Sequence, residues 1–258
     1  MIKRIFPSTT DFENLSSLRT EVSPEANHFD YSKVVVRKPW GYEYLWYQNS
    51  SVAVWMLHLT AGSATSMHCH ARKRTSLVVM SGAVECSTFN ERHRLQEGHG
   101  VVLEPCVFHS TQAVSEGGAF VMEVETPPLK GDLLRYRDNF GRAGKCYEGQ
   151  EQYVTDFREF YYRPLPIINH NGKPCDFLNV HIQLLQFQGQ SDLEQGLISG
   201  GIVIPFLGRI AFGRNIIAEI GEAIPVSDLP MDACPPVFAP VELLQICPGK
   251  HIVRKSLV

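Results

Sequence analysis

Two histidines, His68 and His70, stand two residues apart in the stretch MHCHARKRT, and a third, His109, lies in VFHSTQAV. Residues i and i+2 of a β-strand point to the same face, so His68 and His70 can share one side while Cys69 faces the other. Imidazole nitrogen suits zinc, iron, nickel or copper better than calcium or magnesium. Three neutral imidazoles with open positions left over would make a Lewis-acid or oxygen-binding centre. That outcome requires a fold that carries the strand of His109 to the strand of His68. Without such a fold the three are unrelated polar histidines. Directly after His70 come Arg72, Lys73 and Arg74. Such a run is either a solvated loop or an anion site in which arginine offers a two-pronged fork to phosphate or carboxylate.

The elements needed to position these side chains are strands. From about residue 33 the chain reads as short runs rich in β-branched and aromatic residues: VVV (34–36), YEYLWY (42–47), SVAVWMLHL (51–59), SLVVM (76–80), AVECSTF (83–89), GVVLEP (100–105), VFHSTQAV (107–114) and AFVMEVE (119–125). Glycine, proline, asparagine or serine separates them, which predicts an all-β sandwich or barrel. Residues 1–30 read as an N-terminal arm with one short helix in DFENLSSLRTEV, Asp11 being its candidate cap. Residues 129–165, dense in charges and aromatics, read as one helix or an ordered connector. Further strand-like runs follow at 177–187, 196–206, 209–213, 216–226 and 241–248, and their order of strand, glycine hairpin and glycine turn echoes the first half. The expected division is an arm at 1–30, a metal-binding barrel at 31–145 and a second, degenerate barrel at 146–258. The segment GQSDLEQG stands where His-x-His would be in the second half and holds no histidine.

The 258 residues suffice for a substantial core, and a net charge of −3 offers no basic field for nucleic acid. No window approaches the apolar length of a membrane span, and the first residues lack the apolar run of a signal peptide. Seven cysteines, an odd number without a CxxC pair, read as free thiols of a cytoplasmic protein. His58, His181 and the three tryptophans Trp40, Trp46 and Trp55 are expected to be packing residues, as are the Cys69 and Cys106 thiols.

The spacing of glycines around the histidines resembles the two sequence motifs of the cupin superfamily. GSATSMHCHARKRTSLVVMSG matches the first, in which glycine and His-x-His precede a glutamate and a closing glycine. GHGVVLEPCVFH matches the second, in which a short strand and a proline turn lead to histidine. The resemblance covers roughly residues 38–143 and implies a double-stranded β-helix, a relative of the jelly roll. It also implies that His68, His70 and His109 are metal ligands. The family's glutamate ligand should fall near Arg74 or Thr75, and neither is acidic; the proline turn, PCVF, is one residue short. The site is then completed by a group other than that glutamate, with Glu104 the nearest acid in sequence, or it is a three-histidine site, or it holds no metal.

Two flanks, KPWGYEYLW (38–46) and GDLLRYRDNFGR (131–142), resemble the cupin region of type II mannose-6-phosphate isomerases. This second resemblance implies a metal-dependent protein acting on a sugar phosphate or nucleotide-linked sugar, an isomerase of polysaccharide synthesis. Its ion would be a divalent transition metal (zinc, iron, nickel or manganese), its proton-transfer residue Glu104 or Tyr42, and its anion grip Arg72, Lys73 and Arg74. Arg135 and Arg142 are expected to pair with Asp132 and Asp138. Cupin barrels often pair through exposed strands, so a homodimer binding an anionic small molecule is expected. A three-histidine iron dioxygenase and a non-catalytic sugar-binding cupin are the competing readings.

Overall fold

A computed structural model describes residues 1–19, 24–163, 175–187, 197–198, 200–212, 215–229 and 241–248. In chain order the first half holds β1 (Ile2–Ile5), α1 (Thr9–Ser17), β2 (Val35–Lys38), β3 (Gly41–Gln48), β4 (Ala53–Leu59), β5 (Met67–Cys69), β6 (Arg74–Ser81) and β7 (Ala83–Thr88). It continues with β8 (Arg92–Gln96), β9 (Gly100–Leu103), β10 (His109–Ala113), β11 (Ala119–Thr126), β12 (Leu134–Arg137) and β13 (Tyr153–Val154). These strands form two sheets. One runs β1-β9-β6-β11-β4-β3-β2-β13, and the other β12-β5-β10-β7-β8. The chain passes back and forth between the sheets, so neighbours in space are seldom neighbours in sequence. The first half is a double-stranded β-helix.

The side-chain period of two sorts residues between the inside and the outside of this barrel. Odd positions such as Leu57, Leu77, Val79 and Val121 join the interior core. Even positions such as Val54, Met56, Val78, Met80, Met122 and Val124 form a second core on the outer face. That outer face is covered by a sheet of the second half, in which Phe177, Ile182, Ile204, Phe206 and Leu244 pack on it. Burial on both faces is why the centres of β4 and β6 read as continuous apolar runs rather than alternating ones. Burying each of these large side chains contributes roughly 1.5–3 kcal/mol. Gly82 makes the tight β6–β7 hairpin at φ +79, and a Cβ there would lie 2.5 Å from the Gly118 carbonyl oxygen.

The covering half holds β14 (Cys175–Phe177), β15 (Val180–Phe187), β16 (Ile202–Leu207), β17 (Ile210–Phe212), β18 (Asn215–Ala218), β19 (Ile224–Pro225) and β20 (Val241–Pro248). They make a five-stranded sheet, β14-β15-β20-β16-β19, and a β17–β18 pair. All five strand-like runs read in this half carry strands; GQSDLEQG lies outside the described residues. Residues 129–163 form a connector with two short strands and no α-helix. No helix among the described residues is long and apolar enough to cross a membrane.

The amino-terminal residues are more than an arm. Ile2–Ile5 adds a parallel strand to β9, pairing Ile2 with Gly100 and Ile5 with Leu103. Helix α1 is capped by Ser8 rather than by Asp11. Asp11 completes the capping box from the third helical position, its Oδ2 accepting the Ser8 N–H at 2.7 Å. Its other oxygen accepts the Phe108 N–H at 2.8 Å, one residue before His109. Asp11 thus ties α1 to the turn that launches β10. Asp11→Ala removes a cap and orphans a buried N–H, and is expected to cost about 2 kcal/mol in a urea unfolding titration.

Candidate metal centre

Strand β5 is the hinge of the site. It pairs on one side with β10, where His109 stands opposite His68, and on the other with β12, where Arg135 stands opposite His68. His70 follows directly after β5 on the same face as His68. The barrel therefore makes the junction that the histidines required. Ring centroids lie 4.4 Å apart for His68 and His109, 5.0 Å for His68 and His70, and 5.4 Å for His70 and His109. All three side chains are buried, and one ring nitrogen from each lies within 4.8 Å of the others.

The other ring nitrogen of each is committed to the main chain. The Nδ1–H of His68 donates to the Ser66 carbonyl at 2.8 Å, that of His70 to the Asp132 carbonyl at 2.6 Å, and that of His109 to the Val107 carbonyl at 3.0 Å. A carbonyl only accepts, so each Nδ1 carries the proton and each Nε2 keeps its lone pair. The Nε2 of His70 is buried without a hydrogen-bond partner. Three lone pairs turned to one small volume, one of them orphaned, fit a transition-metal ion.

Burial, then the neighbouring His109, holds His68 well below the ordinary histidine range. Burial, then Lys73, does the same to His70, and burial brings His109 down to about 4. Neutral imidazole is the form that binds a metal.

A buried carboxylate stands beside the trio. Glu123 of β11 places Oε1 3.7 Å from His70 Nε2. Burial, then Glu125 two residues on, pushes its carboxyl up to about 7. Register explains how it comes to be there. Glu123 pairs across the sheet with Leu77 of β6, and Glu125 with Thr75. An acid thus stands beside the trio on the strand next to β6, while Arg74 and Thr75 of β6 supply none. Thr75 itself is buried with its hydroxyl unpartnered.

The cavity that the histidines line has about 60 Å³ of free volume, with Lys38, Glu43, Lys73, Glu125, Lys130 and Glu148 also among the residues around it. These charges alternate. Lys73 Nζ lies 2.6 Å from Glu125 Oε1, Lys130 Nζ 2.8 Å from Glu43 Oε1, and Lys38 bridges Glu43 and Glu148. Lys130 also sits 3.5 Å above the Trp55 ring. Burial would raise the Glu43 carboxyl, but Lys130 and Lys38 outweigh it and hold it far below the usual range. Tyr147, whose hydroxyl donates to Glu43, is driven well above the ordinary tyrosine range by burial and then by that carboxylate.

The sequence-derived site residues divide sharply. His68, His70 and His109 come together as expected. Tyr42 does not join them: it lies on the outer face, stacked on His58 at 4.8 Å, with its hydroxyl accepting the Tyr161 N–H. The neighbouring Glu43 is the one that points inward. Glu104 also lies elsewhere, bound by Arg4 at 2.6 Å and Arg74 at 3.0 Å. The run Arg72-Lys73-Arg74 does not act as one grip, because its members, in the loop leading into β6 and at its first residue, point apart. Lys73 points into the cavity, Arg72 is exposed, and Arg74 faces Glu104 and Glu222. Arg142 pairs with Asp138 as expected, at 2.7 Å. Arg135 pairs with Glu148 at 2.7 Å and not with Asp132.

Asp132 has a different task. Its carboxylate accepts the main-chain N–H groups of Ala71, Arg72 and Lys73, and its carbonyl holds His70. Tyr147 and Glu148, missed by sequence, belong to the connector. A boundary drawn at residue 145 therefore cuts through a segment that helps to wall the cavity.

No protein-family model and no curated protein matches the chain by sequence. Solved structures do match by shape. KdgF from Halomonas sp. matches with a TM-score of 0.34 and 18% identity over 39% of this chain and 90% of that one. A double-stranded β-helix protein from Klebsiella pneumoniae matches at 0.32 and 15%, over 40% and 85%. A sugar phosphate isomerase from a cupin superfamily, from Silicibacter pomeroyi, matches at 0.32 and 16%, over 43% and 73%. Each overlaps less than half of this chain, and at these scores the fold assignment rests on the strand order itself.

Asp132→Ala frees the loop that carries the basic run and is expected to weaken zinc binding roughly 10–100-fold, read by competition with a chelating dye. A second expectation concerns pH. Each imidazole is neutral when folded and takes up a proton more readily when unfolded, where its pKa returns to about 6.5. The unfolded chain then binds more protons between that value and about 4, the folded value for His109. Stability of the metal-free protein is therefore fully present above the window and lost as pH falls through it. Urea midpoints in the presence of a chelator should drop from pH 7 to pH 5, and His109→Gln should shrink the drop.

Proposed function

We propose that this chain is a metal-dependent enzyme that isomerises a sugar phosphate or a nucleotide-linked sugar. The observation that carries the reading is the convergence of three buried, neutral Nε2 atoms beside the Glu123 carboxylate. His68, His70 and His109 would hold a divalent transition ion (zinc, iron, nickel or manganese), which when bound supplies Lewis acidity to a carbonyl oxygen. Glu123 Oε1 would take the proton from the carbon beside that carbonyl and return it to the former carbonyl carbon, while the neighbouring hydroxyl proton passes to the carbonyl oxygen. Lys73 and Lys130 neutralise Glu125, so Glu123 stands beside a compensated charge rather than a bare one. Leu57, Leu77 and Leu133 provide apolar wall that excludes water from the exchange. In this reading the 146–258 half is a degenerate barrel whose task is to cover the outer face of the first.

Metal analysis of tag-free protein and a deuterium-exchange assay over a panel of aldose and ketose phosphates test it. Near-stoichiometric metal should be found, and it should be lost in the His68→Ala/His109→Ala variant. Glu123→Gln should keep the metal and lose about 10²–10⁴-fold in exchange at the carbon beside the carbonyl. No metal after soaking with each ion, or undiminished exchange in Glu123→Gln, would overturn the reading. Iron together with oxygen uptake would move it to the three-histidine dioxygenase.

A further inference from the structure

Glu148 is held in an unusual way for a residue outside any strand. Arg135 Nη2 donates to its Oε1 at 2.7 Å, Arg142 Nη1 also donates to Oε1, and Lys38 donates to Oε2. Its side chain is 7% exposed, and those of Lys38 and Arg135 are 3% exposed. Lys38 also meets Glu43 and Arg142 also meets Asp138, so Glu148 is the carboxylate on which all three cations converge. Arg135 also has a donor to spare, since its Nε is buried without a partner.

The position of this cluster is informative. Lys38, Arg135, Arg142, Tyr147 and Glu148 line both the inner cavity and an outer groove that adds Arg37 and Lys145. The inner cavity has about 60 Å³ of free volume and the groove about 600 Å³. Glu148 therefore stands at the partition between them. Arg135 is the cross-strand neighbour of His68, so the cluster lies within a side chain's reach of the histidine trio. Tyr147 and Glu148 reach this wall from the connector and not from a strand.

We propose that Lys38, Arg135 and Arg142 form the oxyanion-binding subsite of the substrate, occupied in this state by the Glu148 carboxylate, which the phosphate or carboxylate group of an incoming substrate displaces. This deepens the function proposed above and takes from it only that the cavity receives the substrate. It assigns the anion grip to the β2, β12 and connector cations instead of Arg72-Lys73-Arg74. An arginine fork binds either oxyanion in the same geometry that it binds Glu148. Exchange of one anion for another leaves the buried cations compensated throughout, whereas their exposure without a partner would be costly. The anionic group would lie in the wide groove, and the reacting end of the molecule would reach inward to Glu123 and the histidines.

Inorganic phosphate and malonate, titrated calorimetrically into the full chain as purified, test this. Glu148→Gln, which keeps the shape and removes the competing charge, should bind one of the two at least tenfold more tightly than wild type. The probe with the larger gain names the substrate's group. Glu148→Asp, which keeps the charge but shortens its reach, should show a smaller gain and serves if the glutamine variant folds poorly. Adding Arg142→Met to Glu148→Gln should abolish the gain. Equal affinities in wild type and both Glu148 variants, or a gain that survives Arg142→Met, would overturn the proposal. Repeating the titration with chelator separates the two readings. A gain that persists belongs to the clamp whatever becomes of the metal, and one that vanishes belongs to the metal and contradicts the clamp.

Discussion

Three imidazole N–H groups given to three main-chain carbonyls are the constraint on which the site depends. Each bond is buried, two are local and the third spans from His70 to Asp132, and each leaves a ring only one nitrogen with which to do chemistry. The carbonyls belong to Ser66, Val107 and Asp132, so the orientation of the trio is set by the backbone of β5, the turn before β10 and the approach to β12. Those segments are in turn fixed from outside the barrel interior. Asp11 of α1 holds the Phe108 N–H, and the Asp132 carboxylate holds the loop at 71–73. The site is thus rigid because its second layer of hydrogen bonds ends on main chain rather than on flexible side chains.

The second constraint is charge. A barrel interior that is apolar at one end must bury lysines, arginines and glutamates at the other, and it does so only because they alternate. Lys73–Glu125–Lys130–Glu43–Lys38–Glu148 is a continuous chain of opposite signs. Removing a single member leaves its neighbours uncompensated in a poorly polarisable setting, which is more damaging than the modest net worth of any one pair. Such an arrangement serves a site that must receive charge from outside better than it serves stability.

Much of this was legible from sequence, for physical reasons that also mark where reading stopped. His68 and His70 were legible because strand alternation is local, and His109 because a proline turn and a strand frame it. The inward acids were not. Tyr42 and Glu43 are adjacent, and choosing between them needs the parity of β3, which the bulge between Leu45 and Tyr47 obscures. Glu123 and Glu125 did leave a trace: two acids at i and i+2 in the otherwise apolar AFVMEVE lie on one face of a buried strand. The basic run misled because the loop leading into β6 turns neighbouring side chains to different surroundings, which no periodicity announces. Glu148 and Tyr147 sit in a connector with no periodicity, and IKRI is too short to announce a strand that exists only by pairing with β9.

Anomalous diffraction from crystals soaked with cobalt or zinc tests the central claim most directly. A single strong peak about 2.0–2.2 Å from the Nε2 atoms of His68, His70 and His109, with their Nδ1–carbonyl bonds intact, is the result expected. A peak held by other residues, or none at those three nitrogens at full soaking concentration, would contradict the account.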